Sequence, residues 1–232
     1  MPITAANRLV GSSTTTATSY ATASWTPTAA RLYIAHIVST IGSGTPPVPT
    51  LSGNGLTWTA VANSVETLRN VFVFRAVAVS PTTGAMTITV ASPNSCQWIV
   101  DEFTDADTGG TNGSAAIVQS IVAVGAAANS VTATLGAAIT AGNSTTASVT
   151  PGVAEAVTPR TNWTELADDT EATPATALES QWRQAGEQTA SASWTTATGS
   201  RMIALELKAA ATLIRPNLYT NSRAAGMRAA TR

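Results

Sequence analysis

One histidine, one cysteine and a short cluster of acids are the residues of this chain whose chemistry could serve catalysis or metal binding. His36 lies in RLYIAHIVSTI (Arg31–Ile41), where alternation places it on one strand face with Leu32, Ile34 and Val38. A hydrogen-bonded core histidine is expected there, because no G-x-S-x-G motif accompanies it and no second histidine could share a metal. Cys96 opens a strand beside Trp98 and reads as a small buried hydrophobe. With no second cysteine, no internal disulfide can form. Asp101 and Glu102 carry the groups of a glycosidase pair, but adjacent strand residues point to opposite faces and cannot flank one bond. A working pair would need a carboxylate from elsewhere, such as Glu179 or Glu206, across a cleft of about 5–9.5 Å. The expectation is a protein without catalytic residues.

The loop DADTGGTN (Asp105–Asn112) offers oxygens at alternate positions, so Asp105, Asp107 and Asn112 are weak candidates for a Ca²⁺ site. The EF-hand pattern fails, with Gly109 at the third ligand position and Ala116 where the bidentate Glu belongs, so a solvated Asx-rich turn is expected without cofactor or metal. Beyond Glu206 no acid follows, whereas Lys208, Arg215, Arg223, Arg228 and Arg232 do. Charges so sparse, with Tyr219 the only aromatic among them, make a poor nucleic-acid signature. Contact with a partner subunit through Leu213, Ile214, Arg215, Leu218, Tyr219, Arg223 and Arg228 is the expected use of this segment. Six tryptophans (Trp25, Trp58, Trp98, Trp163, Trp182, Trp194) could stack on sugars, yet most sit in alternating strands where core packing is the default.

The elements that must position these residues read as strands throughout. Gly11–Trp25, nearly all Ser, Thr and Ala, suits a long edge strand. Arg31–Ile41 and Val71–Val79 are core strands, the second apolar on both faces, with Leu56–Ala62 between them. Met86–Val90 follows the turn at Pro81–Gly84. The strand from Cys96 leads through Trp98 and Val100 into the acidic Gly-rich loop. Ile117–Val124 and Val131–Leu135 form a second hairpin around Gly125–Ser130. Asn143–Val149 and Trp163–Leu166 are weaker strands, and Ala177–Arg183, Ala190–Trp194 and Met202–Leu207 restore clear alternation. In the last of these, Ile203, Leu205 and Leu207 are the expected core face. No 3.6-residue periodicity interrupts the series. The fold class predicted is all-β, an antiparallel β-sandwich of about eleven or twelve strands. Residues 1–10 are expected as an N-terminal arm, 11–210 as the sandwich domain and 211–232 as a C-terminal extension.

Composition limits the partners. Charged residues are 11% of the chain, against about 25% in typical soluble domains. Ala and Thr supply about a third of it. A pale, Thr-rich surface suits a protein held in an assembly, but a GC-rich coding sequence, signalled by eleven Arg to the single Lys208, takes the larger share of the explanation. A net charge of −1 gives no global attraction to nucleic acid or membrane. MPITAANRLV lacks the basic and apolar regions of a secretory signal, and no apolar run reaches the roughly 18 residues that span a bilayer. Synthesis in a cytoplasm is expected.

Several segments, taken in order, resemble a set of uncharacterised proteins encoded in the structural gene modules of tailed bacteriophages and prophages. They are the Thr/Ala-rich first strand, GLTWTAVANSV (Gly55–Val65), VFVFRAVAVSPTTGAMTITV (Val71–Val90), CQWIVDEFTDADTGGTNGSAAIVQS (Cys96–Ser120), WTELAD (Trp163–Asp168), ESQWR (Glu179–Arg183), ASASW (Ala190–Trp194) and IALELKAA (Ile203–Ala210). PNLYTNS (Pro216–Ser222) is similar to a short C-terminal repeat of such proteins, although RAAGMRAATR replaces the aromatic residues that usually follow. The resemblance implies a jelly-roll-like sandwich serving as a virion component, with no catalytic residue to carry over. On it rests the expected function: a non-enzymatic virion structural protein, either capsid decoration or minor tail component. It would be homo-oligomeric and contact other virion proteins through sheet edges and terminal arms. The alternative is a carbohydrate-binding adhesin using exposed tryptophans to hold glycan.

Overall fold

The computed structural model describes residues 1–66, 68–91 and 95–211. They form an antiparallel β-sandwich with three sheets, and the only helical element among them is a 3₁₀ segment at Thr111–Ala116. The strands are β1 (Thr4–Ser13), β2 (Ser19–Trp25), β3 (Leu32–Thr40), β4 (Thr50–Ser52), β5 (Thr59–Val65), β6 (Arg69–Val77), β7 (Gly84–Thr89) and β8 (Ser95–Thr104). Then come β9 (Ile117–Thr134), β10 (Ser144–Pro151), β11 (Thr158–Pro159), β12 (Thr164–Ala172), β13 (Ala175–Arg183) and β14 (Thr189–Leu207).

The middle layer is a five-stranded sheet in the order β1-β8-β3-β6-β5. Its central strands are buried on both faces, so they alternate between two cores and not between core and water. Tyr33, Ala35, Ile37, Phe72, Phe74, Trp98 and Val100 pack against Tyr20, Leu51, Met86 and Ile88 of the small sheet β2-β7-β4. On the opposite face, Leu32, Ile34, Val38, Val71, Val73, Ile99 and Phe103 meet Leu178, Ile203, Leu205 and Leu207 of the six-stranded sheet. Each such fully buried large side chain contributes about 1.5–3 kcal/mol over exposure. Glu66 ties these two sheets at one edge, holding Arg69 at 3.1 Å and Arg201 of β14 at 3.3 Å.

The six-stranded sheet runs β12-β13-β10-β14, with β9 and β11 both on β14. Its outer face is also a core. Ala147, Val149, Ala177, Met202 and Ala204 pack with Val131, Ala133, Leu135, Ala190, Ala192 and Trp194. Those last six come from the far halves of β9 and β14 and, for Leu135, the residue just after β9, so the β9–β14 ribbon bends and covers its own sheet. Bulges between Ser193, Thr198 and Ser200 absorb the bend.

Four expectations are corrected by this arrangement. Residues 1–10 are not a free arm: from Thr4 they form β1, paired along β8, with Ile3 fully buried and its carbonyl accepting from Gln184 Nε2 at 3.2 Å. Gly11–Trp25 is two strands in two sheets. Ile117–Val124 and Val131–Leu135 are not a hairpin, because both take the same partner and form one 18-residue strand. The core face of β14 is both faces, Met202 and Ala204 as much as Ile203 and Leu205.

Candidate functional site

The acidic stretch begins on β8, whose register against β3 sets Asp101 opposite Ile34 and Glu102 opposite Tyr33. As adjacent strand residues they enter different cores. Asp101 is fully buried on the His36 side, with Oδ2 3.4 Å from His36 Nε2, and Asn7 Nδ2 of β1 donates to its Oδ1 at 3.0 Å. Glu102 faces the small sheet, where Arg8 donates from Nη2 at 2.8 Å and Nε at 3.2 Å and Tyr33 Oη donates to Oε2. Burial pushes the Glu102 carboxyl up, but the hydrogen bonds from Arg8 and Tyr33 outweigh it and hold it below the usual range. Burial first, and then the bond to Glu102, push the Tyr33 hydroxyl up to about 12. Both carboxylates thus fasten β1 to β8. His36 is 1% exposed and is a core residue, as its place on the strand predicts, but against expectation neither ring nitrogen has a hydrogen-bond partner among the described residues.

The loop after β8 acts as a clasp on the end of β14. Asp107 N donates to the Lys208 carbonyl at 2.8 Å, Lys208 N to the Ala116 carbonyl at 2.8 Å, and Ala210 N to the Asp105 carbonyl at 2.8 Å. The Asp107 carboxylate accepts Lys208 Nζ at 2.8 Å on one oxygen and Gly109 N at 2.8 Å on the other. Those bonds, the lysine's above all, hold its carboxyl below the usual range. Asn112 turns its amide to Thr59 Oγ1 of β5 at 3.2 Å. Of the three candidate Ca²⁺ ligands, Asp107 is held in an ion pair, Asn112 reaches from the 3₁₀ segment to β5, and Asp105 is tied through its backbone carbonyl. Among the described residues no group of three or more His, Cys, Asp or Glu side chains is placed to hold a metal.

The two more distant acids fall elsewhere. Glu206 is buried at the end of β14, where its Oε1 accepts Asn143 Nδ2 (2.6 Å) and Thr140 N (2.9 Å) and its Oε2 accepts Gln119 Nε2 (2.6 Å). Burial pushes its carboxyl up, and these donors overcome that and bring it below the usual range. It anchors the connection from β9 to β10. Glu179 on β13 is fully buried, and neither oxygen has a hydrogen-bond partner among the described residues. Its cross-strand partner on β12 is Asp168. Burial drives the Glu179 carboxyl well above its usual range, with Glu165 and Asp168 adding to the effect. Burial likewise pushes Asp168 up to about 6. This facing acid pair was not legible in the sequence. Only Trp163–Leu166 of the stretch around TELADDTEA reads as a strand, and Glu179 is a candidate there as a partner for Asp101 or Glu102, not for Asp168.

None of the six tryptophans is among the exposed large apolar residues. Trp98, Trp163 and Trp194 are buried, while Trp25, Trp58 and Trp182 are half-buried against the cores. Of Trp58, Trp163 and Trp182, the three a glycan would use, Trp163 is buried, while Trp58 and Trp182 keep part of their surface open. A groove of about 970 Å³ opens where Met1, Pro2, Val118, Asn143, Gln184 and Ala209 meet. Leu213, Ile214, Arg215, Leu218, Tyr219, Arg223 and Arg228, the expected partner-binding residues, lie outside the described residues. Comparison of the chain with family models, with curated proteins and with solved structures finds no match. What fold and geometry define is a class: an all-β protein of stacked antiparallel sheets.

Proposed function

We propose that this chain is a non-enzymatic structural protein of a bacteriophage particle, a capsid decoration or minor tail component that works by protein–protein contact. The observation that carries this reading is the employment of its polar chemistry. Glu102, Glu206 and Asp107 are each consumed in fastening one strand or loop to another, and His36, Asp101 and Glu179 are sealed in the cores. The outer surface instead offers strand edges and scattered valines, with a low charge density. Sheet edges hold a ready row of unpaired amides and carbonyls, the means by which stacked-sheet proteins add to a neighbour. The resemblance of the motif series to virion structural proteins supplies the setting, and other virion proteins are the proposed partners.

Peptide mass spectrometry of gradient-purified particles from a lysogen carrying this gene tests the reading. Peptides of this chain should appear in fixed ratio to the major capsid or tail subunit. Their confinement to the soluble lysate would refute the virion assignment.

A further inference from the structure

The edges of the three sheets are protected unequally. β12, one edge of the six-stranded sheet, carries Glu165, Asp168, Asp169 and Glu171, so a second β12 would be repelled. β1 carries Arg8 and is held beside β12 through Ser12 Oγ and Asp169 Oδ1, 3.4 Å apart. The remaining edges, β2, β4, β5 and the two-residue β11, are short. β9 is different: it pairs only with β14 among the described residues and is 18 residues long, and IVQSIVAVGAAANSVTAT holds no charge and no proline. Natural sheets rarely leave so long an edge without such a device unless something pairs with it.

The sequence of that edge also points to its occupant. In a two-fold antiparallel pairing every residue meets one from the same set, so an edge that pairs with its own copy must be free of net charge. From Gln119 to Gly125 the strand is regular against β14, and a bulge at Val118 carries it on to Ile117, a run of about 30 Å in all at 3.4 Å per residue. Its two most exposed apolar residues, Val118 (47% exposed) and Val124 (66%), lie on one face. Ile121 is their midpoint. A two-fold axis there would set Val118 of each copy against Val124 of the other and Ser120 against Val122.

We propose that the open edge of β9 is a self-association surface, pairing antiparallel with β9 of a second copy about Ile121. The proposal deepens the assembly reading and rests on it, since it names the first partner of that surface. A ladder of about nine residues a side is smaller than a standard interface, so the isolated dimer should be in the micromolar range. Presentation on a particle would raise its local concentration and complete the pairing.

Sedimentation velocity over a concentration series up to about 200 µM, combined with cysteine cross-linking, tests this. Cys96, the one native cysteine, is buried and leaves a clean background. The expected result is a species of twice the 23.5 kDa chain mass. Val124→Lys should weaken it at least tenfold while leaving circular dichroism and melting unchanged, because Val124 already faces water. Ser120→Cys should cross-link with a short bismaleimide, its two copies sitting about 7 Å apart on the diagonal. Val118→Cys should not, its copies being about 20 Å apart along the strands. A chain that stays single up to the highest concentration overturns the proposal. So does a dimer indifferent to Val124→Lys, or one cross-linked through Val118→Cys but not Ser120→Cys. Dimerisation only after removal of residues 212–232 would assign the edge to the chain's own C-terminal segment. A single chain that is nevertheless found in particles refutes the β9 pairing alone. A β9 dimer absent from particles refutes the virion setting instead.

Discussion

Replacing Asp168 by Asn should stabilise this protein at alkaline pH and do far less at acid pH. Asp168 faces Glu179 across β12 and β13, and burial moves its carboxyl from 3.8 to about 6. A folded state that binds the proton more tightly than the unfolded chain loses stability as pH rises from about 4 through about 6. At pH 8 the full displacement is worth about 3 kcal/mol at 1.36 kcal/mol per pH unit, and at pH 4.5 about a third of that. Asp168 is only half-buried, so screening by water lowers the pH 8 figure to about 1–2 kcal/mol. Asn keeps the acceptor that takes Val157 N, bonded at 2.8 Å in the wild type, and removes only the charge. Urea unfolding of both proteins at pH 4.5 and pH 8 measures the difference. The variant should gain about 1–2 kcal/mol at pH 8, raising the midpoint, with a clearly smaller gain at pH 4.5. An equal effect at both pH values, or a variant less stable at pH 8, would refute the reasoning about the buried Asp168 carboxyl.

Two further substitutions probe the devices that fix the fold. Glu206→Ala strips the acceptor from Asn143, Thr140 and Gln119. It should cost about 3 kcal/mol in urea unfolding and speed hydrogen exchange across residues 135–143. Glu206→Gln, which keeps one acceptor, should cost about 1 kcal/mol. Gly113 has φ +74°, and a Cβ there would lie 2.6 Å from Val77 Cγ2 and 3.2 Å from Leu32 Cδ1. Gly113→Ala should therefore lose about 2–3 kcal/mol, read as a lowered thermal midpoint.

What the sequence disclosed, and what it hid, follows from how these sheets are stacked. RLYIAHIVSTI and VFVFRAVAV are legible because both faces are apolar, and the opposite outlooks of Asp101 and Glu102 follow from strand geometry alone. The pairing of His36 with Asp101 is not legible, since it depends on which strands become neighbours. The burial of the third layer on both faces is hidden for a chemical reason. β10, STTASVTP, is buried along its whole length, yet its small hydroxylated residues give no hydrophobic period. Several of them hydrogen-bond within the sheet's surroundings, Thr146 to the Gln181 carbonyl and Thr145 to the Glu187 carbonyl. The β9–β14 ribbon looked like separate short strands because Gly125 and the Thr-Thr-Ala-Thr-Gly run mimic turns. They are bends within two long strands that keep the same partner. The candidate Ca²⁺ loop was located correctly as a turn, but its service as a clasp on Lys208–Ala210 required the end of β14 to arrive beside it.

The central claim is that this stack of sheets serves as a building piece of a larger particle and acts through its edges. Averaged electron cryomicroscopy of intact particles from the same lysogen tests it most directly. The account predicts density for the three-layer sandwich at a regular position, with the β9 edge against a neighbouring copy. Particles whose density is fully explained by other chains would contradict it.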